Sequence, residues 1–180
     1  MNILELFLTG ISLALDAFTI SICKGLANNK KKDGIIISFF FGLFQFIMPI
    51  LGYYIGNIFS EKIIYYNPYI SMILLVTIGI LMLTEKNENN FSTNLKISEL
   101  FLLAIATSID ALVIGISFSF LKIHILSSSI LIGIITFFMC IIGYYLGNYF
   151  NKKIGKYSNL ISGTIIILLG IKIFIQTIFN

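Results

Sequence analysis

Apolar runs of roughly twenty residues, the length that spans a bilayer core as a helix, alternate along this chain with short polar clusters. The runs cover residues 3 to 25, 34 to 59, 68 to 84, 99 to 121, 126 to 149 and 158 to 178. Asn28 through Asp33 closes the first, Ser60-Glu61-Lys62 and Asn67-Pro68 part the second from the third, and Glu85 through Ser98 forms the longest loop. Lys122 and His124 mark a tight turn, and Asn151-Lys152-Lys153 through Lys156 precedes the last run. The pattern predicts an all-α integral membrane protein with six transmembrane helices. The start, Met1-Asn2-Ile3-Leu4-Glu5, is not basic and Asp16 interrupts the run that follows, so a spanning helix is expected there and not a cleaved signal.

The pattern also repeats. Glu5-Leu6-Phe7-Leu8 returns as Glu99-Leu100-Phe101-Leu102, Asp16-Ala17 as Asp110-Ala111, and Gly52-Tyr53-Tyr54-Ile55-Gly56-Asn57 as Gly143-Tyr144-Tyr145-Leu146-Gly147-Asn148. Three spans per copy is an odd number, so the second copy enters the membrane upside down. The expected architecture is two inverted three-helix repeats, residues 1–90 and 91–180, with a site near the midplane where they meet.

Asp16 and Asp110 each sit inside an apolar run, where an ionised carboxylate costs about 2.5 to 3.5 kcal/mol on insertion scales and usually marks an ion or proton path. At helical spacing Ser12, Thr9, Thr19 and Cys23 share a face with Asp16, and Thr107 and Ser117 share one with Asp110. Matching the second run to the fifth sets Gln45 against Thr136, Met48 against Met139 and Pro49 against Cys140. Two carboxylates with hydroxyl and amide oxygens make a hard site that suits magnesium, calcium or manganese better than zinc or copper. The candidate ligands are Asp16, Asp110, Ser12, Gln45, Thr107 and Thr136. Two close carboxylates resist joint ionisation, so binding a divalent ion would expel protons. The methionines fit better as gap-fillers, and the Gly-xxx-Gly spacings as seams where helices approach closely. Pro49 is expected to kink its helix beside the site.

Composition narrows the class further. Hydrophobic residues make up 58% of the 180 residues and charged ones 11%, too few polar groups to cover a soluble globule. The net charge of +4 rests on lysine alone and falls in short clusters at run ends, which gives no support to a nucleic-acid partner. Cys23 and Cys140 are far apart inside apolar runs and imply no disulfide framework. Lysine bias in short loops puts Lys30, Lys31, Lys32, Lys86, Lys96, Lys152, Lys153 and Lys156 on one side, against Lys62 and Lys122 on the other. The first side is expected to be cytoplasmic, with both termini outside. Lys24 and Lys172, near run ends, read as snorkelling side chains.

The run Asp16-Ala17-Phe18-Thr19-Ile20-Ser21-Ile22-Cys23-Lys24-Gly25, with Ala106-Thr107-Ser108-Ile109-Asp110-Ala111 and Phe41-Gly42 followed by Pro49 and Gly52, resembles the bacterial manganese efflux pump family MntP over essentially the whole chain. The resemblance implies export of Mn²⁺ across the bacterial inner membrane, with Asp16 and Asp110 as the central residues. It implies a transporter and not an enzyme, with manganese as cargo and no resident cofactor. Some members carry an acidic residue where this chain has Gln45. Two other readings stay open on the residues alone: an exporter of amino acids or other small organic cations, and a packing subunit that transports nothing. An intramembrane aspartyl protease also uses two membrane aspartates, but it would place Tyr before one and Gly-x-Gly before the other, where this chain has Leu15 and Ile109.

Overall fold

The computed structural model describes residues 3–27, 30, 32–84, 97–120, 124–154 and 158–178, and all of its regular structure is helical. In chain order the helices are α1 Ile3–Ala27, α2 Asp33–Thr84, α3 Ile97–Phe120, α4 Ile125–Ile154 and α5 Ser158–Ile178. Charges at their ends suit the helix dipoles. Glu5, Asp33 and Glu99 lie in first turns and Lys24 in the last turn of α1. Four stretches among the described residues are long and apolar enough to cross a membrane: Ile3–Ala27, Asp33–Gly56, Ile97–Ser119 and Ile125–Asn151.

The expected break between residues 59 and 68 does not form, so among the described residues there are five helices where six spans were expected. Helix α2 runs on through Ser60-Glu61-Lys62 and Asn67-Pro68 for 52 residues. At 1.5 Å per residue that is about 78 Å, more than twice the thickness of a hydrocarbon core. Residues 58–66 contain no glycine and have ordinary helix propensity, and a proline bends a helix as readily as it ends one. The expected repeat boundary at 90/91 and the loop around it, with Lys86 and Lys96, lie outside the described residues, as do Lys31, Lys122 and Lys156.

Helix α1 packs chiefly on α4, and α2 on α3, α4 and α5. The buried core joins Ala17 and Ile20 of α1, Phe41 of α2, Leu103 of α3, Tyr144 of α4 and Ile166 of α5. Large apolar side chains also cover the outside: Phe39 is 56% exposed, Phe138 58% and Leu168 59%. An apolar exterior over a tightly packed interior is what lipid, and not water, solvates.

Close helix contacts run along glycines. A Cβ on Gly52 would strike the Leu112 carbonyl oxygen of α3, and one on Gly56 would lie 2.6 Å from Ser119 Oγ and 3.3 Å from Ile116 Cα. On the other pair, a Cβ on Gly143 would lie 2.8 Å from the Phe18 carbonyl oxygen of α1, and one on Gly147 would strike that of Ile22. Phe18 and Leu112 each follow an aspartate by two positions, Ile22 and Ile116 by six. Between them α2 and α4 cross at Gly42 and Gly133. A Cβ on Gly42 would meet Gly133 O at 3.0 Å and Phe137 Cβ at 3.0 Å; one on Gly133 would meet Gly42 O at 2.9 Å and Phe46 Cβ at 2.9 Å. Each helix makes the same contact on the other, as in an isologous interface.

The exposed carbonyls at the end of α1 are taken up by other helices. Ser162 Oγ of α5 donates to Cys23 O at 2.9 Å, and Asn151 Nδ2 of α4 donates to Leu26 O. Lys30 O accepts from Tyr144 Oη at 2.7 Å and from the Asp33 amide at 3.1 Å, which pins the turn into α2.

Candidate ion site

The two aspartates sit between the glycine contacts that follow them and a side-chain tie that precedes them. Gln45 of α2 is fully buried, and its Nε2 donates to Thr107 O at 2.9 Å and to Leu13 O at 3.4 Å. Leu13 lies three positions before Asp16 and Thr107 three before Asp110. One amide therefore bridges the backbones of both acid-bearing helices, one turn ahead of each acid. The amide cannot be turned over, because its oxygen would then face two carbonyl oxygens. Gln45 Oε1 is left buried with no hydrogen-bond donor, a neutral acceptor in a medium where an unpaired polar atom is costly.

Asp16 and Asp110 are both partly exposed. They lie within electrostatic reach of one another, and Lys172 of α5 lies within reach of Asp16. Two like charges at the meeting of α1 and α3 need a cation, a proton or both to be held there.

The other expected ligands divide. Thr107 and Thr136 are buried, and their hydroxyls donate to the carbonyls of Leu103 at 3.0 Å and Ile132 at 2.9 Å. A hydroxyl that has donated its hydrogen keeps lone pairs for a cation. Ser12 is exposed, and Thr9 and Thr19 donate to Glu5 O and Leu15 O of their own helix. The polar stripe of α1 is therefore mostly ordinary back-bonding. Met48 packs on an apolar cluster with Leu13, Phe118 and Ile132, which suits a gap-filler. Pro49 lies within continuous helix, its backbone against Gly115. Among the described residues no group of three or more His, Cys, Asp or Glu side chains converges.

Three features escaped the sequence. The Gln45 tie depends on helix register, which spacing within one helix does not reveal. Lys172 reaches back to Asp16, and Lys24 Nζ pairs with Glu99 Oε1 of α3. Both lysines had an available signal, the need of a membrane-embedded acid for a partner.

An all-helical bundle with an apolar exterior and two acids held inside it defines a multi-pass membrane protein. The family model described as "Putative manganese efflux pump" matches residues 28–174. "Putative manganese efflux pump MntP" of Mannheimia succiniciproducens is 38% identical over 183 residues, covering 98% of this chain and 97% of that protein. A relative of the same name from Clostridium perfringens is 38% identical over 203 residues, with 98% and 95% covered. "Putative manganese efflux pump MntP 2" of Clostridium botulinum is 39% identical over 192 residues, with 98% and 96% covered. No solved structure matches the chain. The chain belongs to the MntP family of manganese efflux pumps.

Proposed function

We propose that this protein is a secondary transporter that exports divalent cations from the cytoplasm, Mn²⁺ first among them, through alternating access at Asp16 and Asp110. The observation that carries this reading is the Gln45 amide tying together the two helices that each bear a membrane-embedded carboxylate, one turn ahead of each acid, in a chain whose relatives are named for manganese efflux. A divalent ion neutralises both acids; a monovalent one leaves a buried charge. Gln45 Oε1 and the Thr107 and Thr136 hydroxyls supply neutral oxygens, and Ser12, which is exposed, is dropped from the ligand set.

The architecture proposed is two inverted repeats of three spans. The reciprocal Gly42 and Gly133 contact supports it, as do the matched grips of α2 on α3 and α4 on α1 at equal offsets from the two aspartates. Helix α2 is long enough to supply two spans. Lysine bias orients the pump with both termini outside and the end of α1 facing the cytoplasm of the bacterial inner membrane.

Everted or reconstituted vesicles loaded from the cytoplasmic side test the reading. Asp16→Asn and Asp110→Asn should each abolish Mn²⁺ flux while the protein still assembles; flux retained in both variants overturns the carboxylate mechanism. Because the acids must be deprotonated to hold the ion, apparent Mn²⁺ affinity should fall as pH falls, and flux independent of pH removes the proton part. The amino-acid reading gains one observation, since Lys172 near Asp16 is a cation that a substrate carboxylate could use. Competition of amino acids against Mn²⁺ in the same vesicles decides it.

A further inference from the structure

We infer that the Lys24–Glu99 ion pair is a latch that holds one end of the α1–α3 crossing shut and must part for the ion site to open on that side. The inference rests on the transporter reading above. Lys24 Nζ meets Glu99 Oε1 at 2.5 Å, with the side chains only 12% and 20% exposed. Lys24 ends α1 and Glu99 begins α3, so each charge already suits its own helix dipole. The pair joins the two acid-bearing helices directly, at the end that lysine bias assigns to the cytoplasm. An ion pair screened this far from water binds more firmly than an exposed one, yet it can be remade in water when the helices part.

The opposite end is built differently. The counterpart of Glu99 in the first half is Glu5, which is exposed, and the counterpart of Lys24 in the second half is Phe118, which is 3% exposed in an apolar cluster. Where α1 carries Lys24 of the pair, the matching position of α3 carries the buried ring of Phe118. The two sides are therefore closed by different forces, and a change in the pair biases one side alone.

Two native thiols read this out. Cys23, beside Lys24 on α1, and Cys140 on α4 are both fully buried in the cluster that holds Leu100 and Leu103 of α3, and of the two only Cys23 is carried by a helix of the ion pair. Parting α1 from α3 at this end moves Cys23 with the pair, whereas Cys140 stays on α4, which carries neither charge. The full-length protein is reconstituted in liposomes as Cys140→Ala or Cys23→Ala, so that one thiol remains, and alkylated with N-ethylmaleimide. Glu99→Gln and, as an independent variant, Lys24→Met should each raise the Cys23 rate roughly fivefold by shifting the closed population, with the Cys140 rate unchanged. The double variant should react no faster than either single one, because both remove the same interaction. A Cys23 rate unmoved in both single variants, or a Cys140 rate that rises in parallel as general loosening demands, overturns the latch. Neither result depends on manganese, so the latch can fail while the Asp16→Asn flux result stands, and the reverse.

Discussion

The seams where α2 grips α3 and α4 grips α1 are nearly interchangeable, while the middle of the molecule between them is not. Gly52 and Gly56 meet α3 after Asp110 as Gly143 and Gly147 meet α1 after Asp16. In the middle, Gln45 reaches across to two carbonyls on other helices, whereas Thr136, its counterpart in the sequence match, donates only to its own helix. At Gly52 and Gly147 backbone meets backbone and leaves no tolerance, so each seam keeps the smallest residue there. On the transport reading proposed above, the space between the aspartates holds the cargo and closes around it, and there Gln45 and Thr136 differ.

The largest expected effect tests the equivalence of the seams. Gly52→Ala and Gly147→Ala each put a methyl group into a backbone carbonyl, which no rotamer change relieves, and overpacking of this kind costs about 1–3 kcal/mol or more. Both should lose folded, monodisperse protein in detergent by size-exclusion chromatography; one tolerated and one lethal would break the equivalence. Next comes the asymmetry of the middle. Gln45→Leu removes two hydrogen bonds between helices and should lower stability by about 1–2 kcal/mol, read as a drop in Tm with Mn²⁺ absent. Thr136→Val removes one bond within a helix and should cost about 0.5 kcal/mol or less, near the average for such groups in membranes. Equal losses would put the two halves back on a par. The smallest effect is expected at Gly10→Ala, where the new Cβ meets the Ile135 Cδ1 tip at 2.8 Å, a side-chain end that can rotate away; its Tm should stay close to that of the unaltered protein.

Much of this was legible along the chain because membrane helices announce themselves by length. The runs at 3 to 25, 99 to 121 and 158 to 178 agree with α1, α3 and α5 to within about two residues at each end, and the run at 126 to 149 falls inside α4. Gly52, Gly56, Gly143 and Gly147 were readable as seams because small residues four apart have few other uses in a membrane. The continuation of α2 past Pro68 was not readable, since a proline in a long helix marks a bend or an end equally well. Face assignments did worst. Spacing put Ser12 with Asp16, but a helix face becomes inside or outside only once its neighbours are placed, and Ser12 is left exposed. Lys24 reads along the chain as a snorkelling side chain, and in the fold it has an acid on another helix.

The crossing of Gly42 and Gly133 carries a last implication. Each glycine makes room for the other's carbonyl oxygen, so the contact has no donor side and no acceptor side. It is the contact that two identical half-length chains would make if they were inserted in opposite senses. In the inverted-repeat architecture proposed above, one half would need no new surface to pair with a second copy of itself.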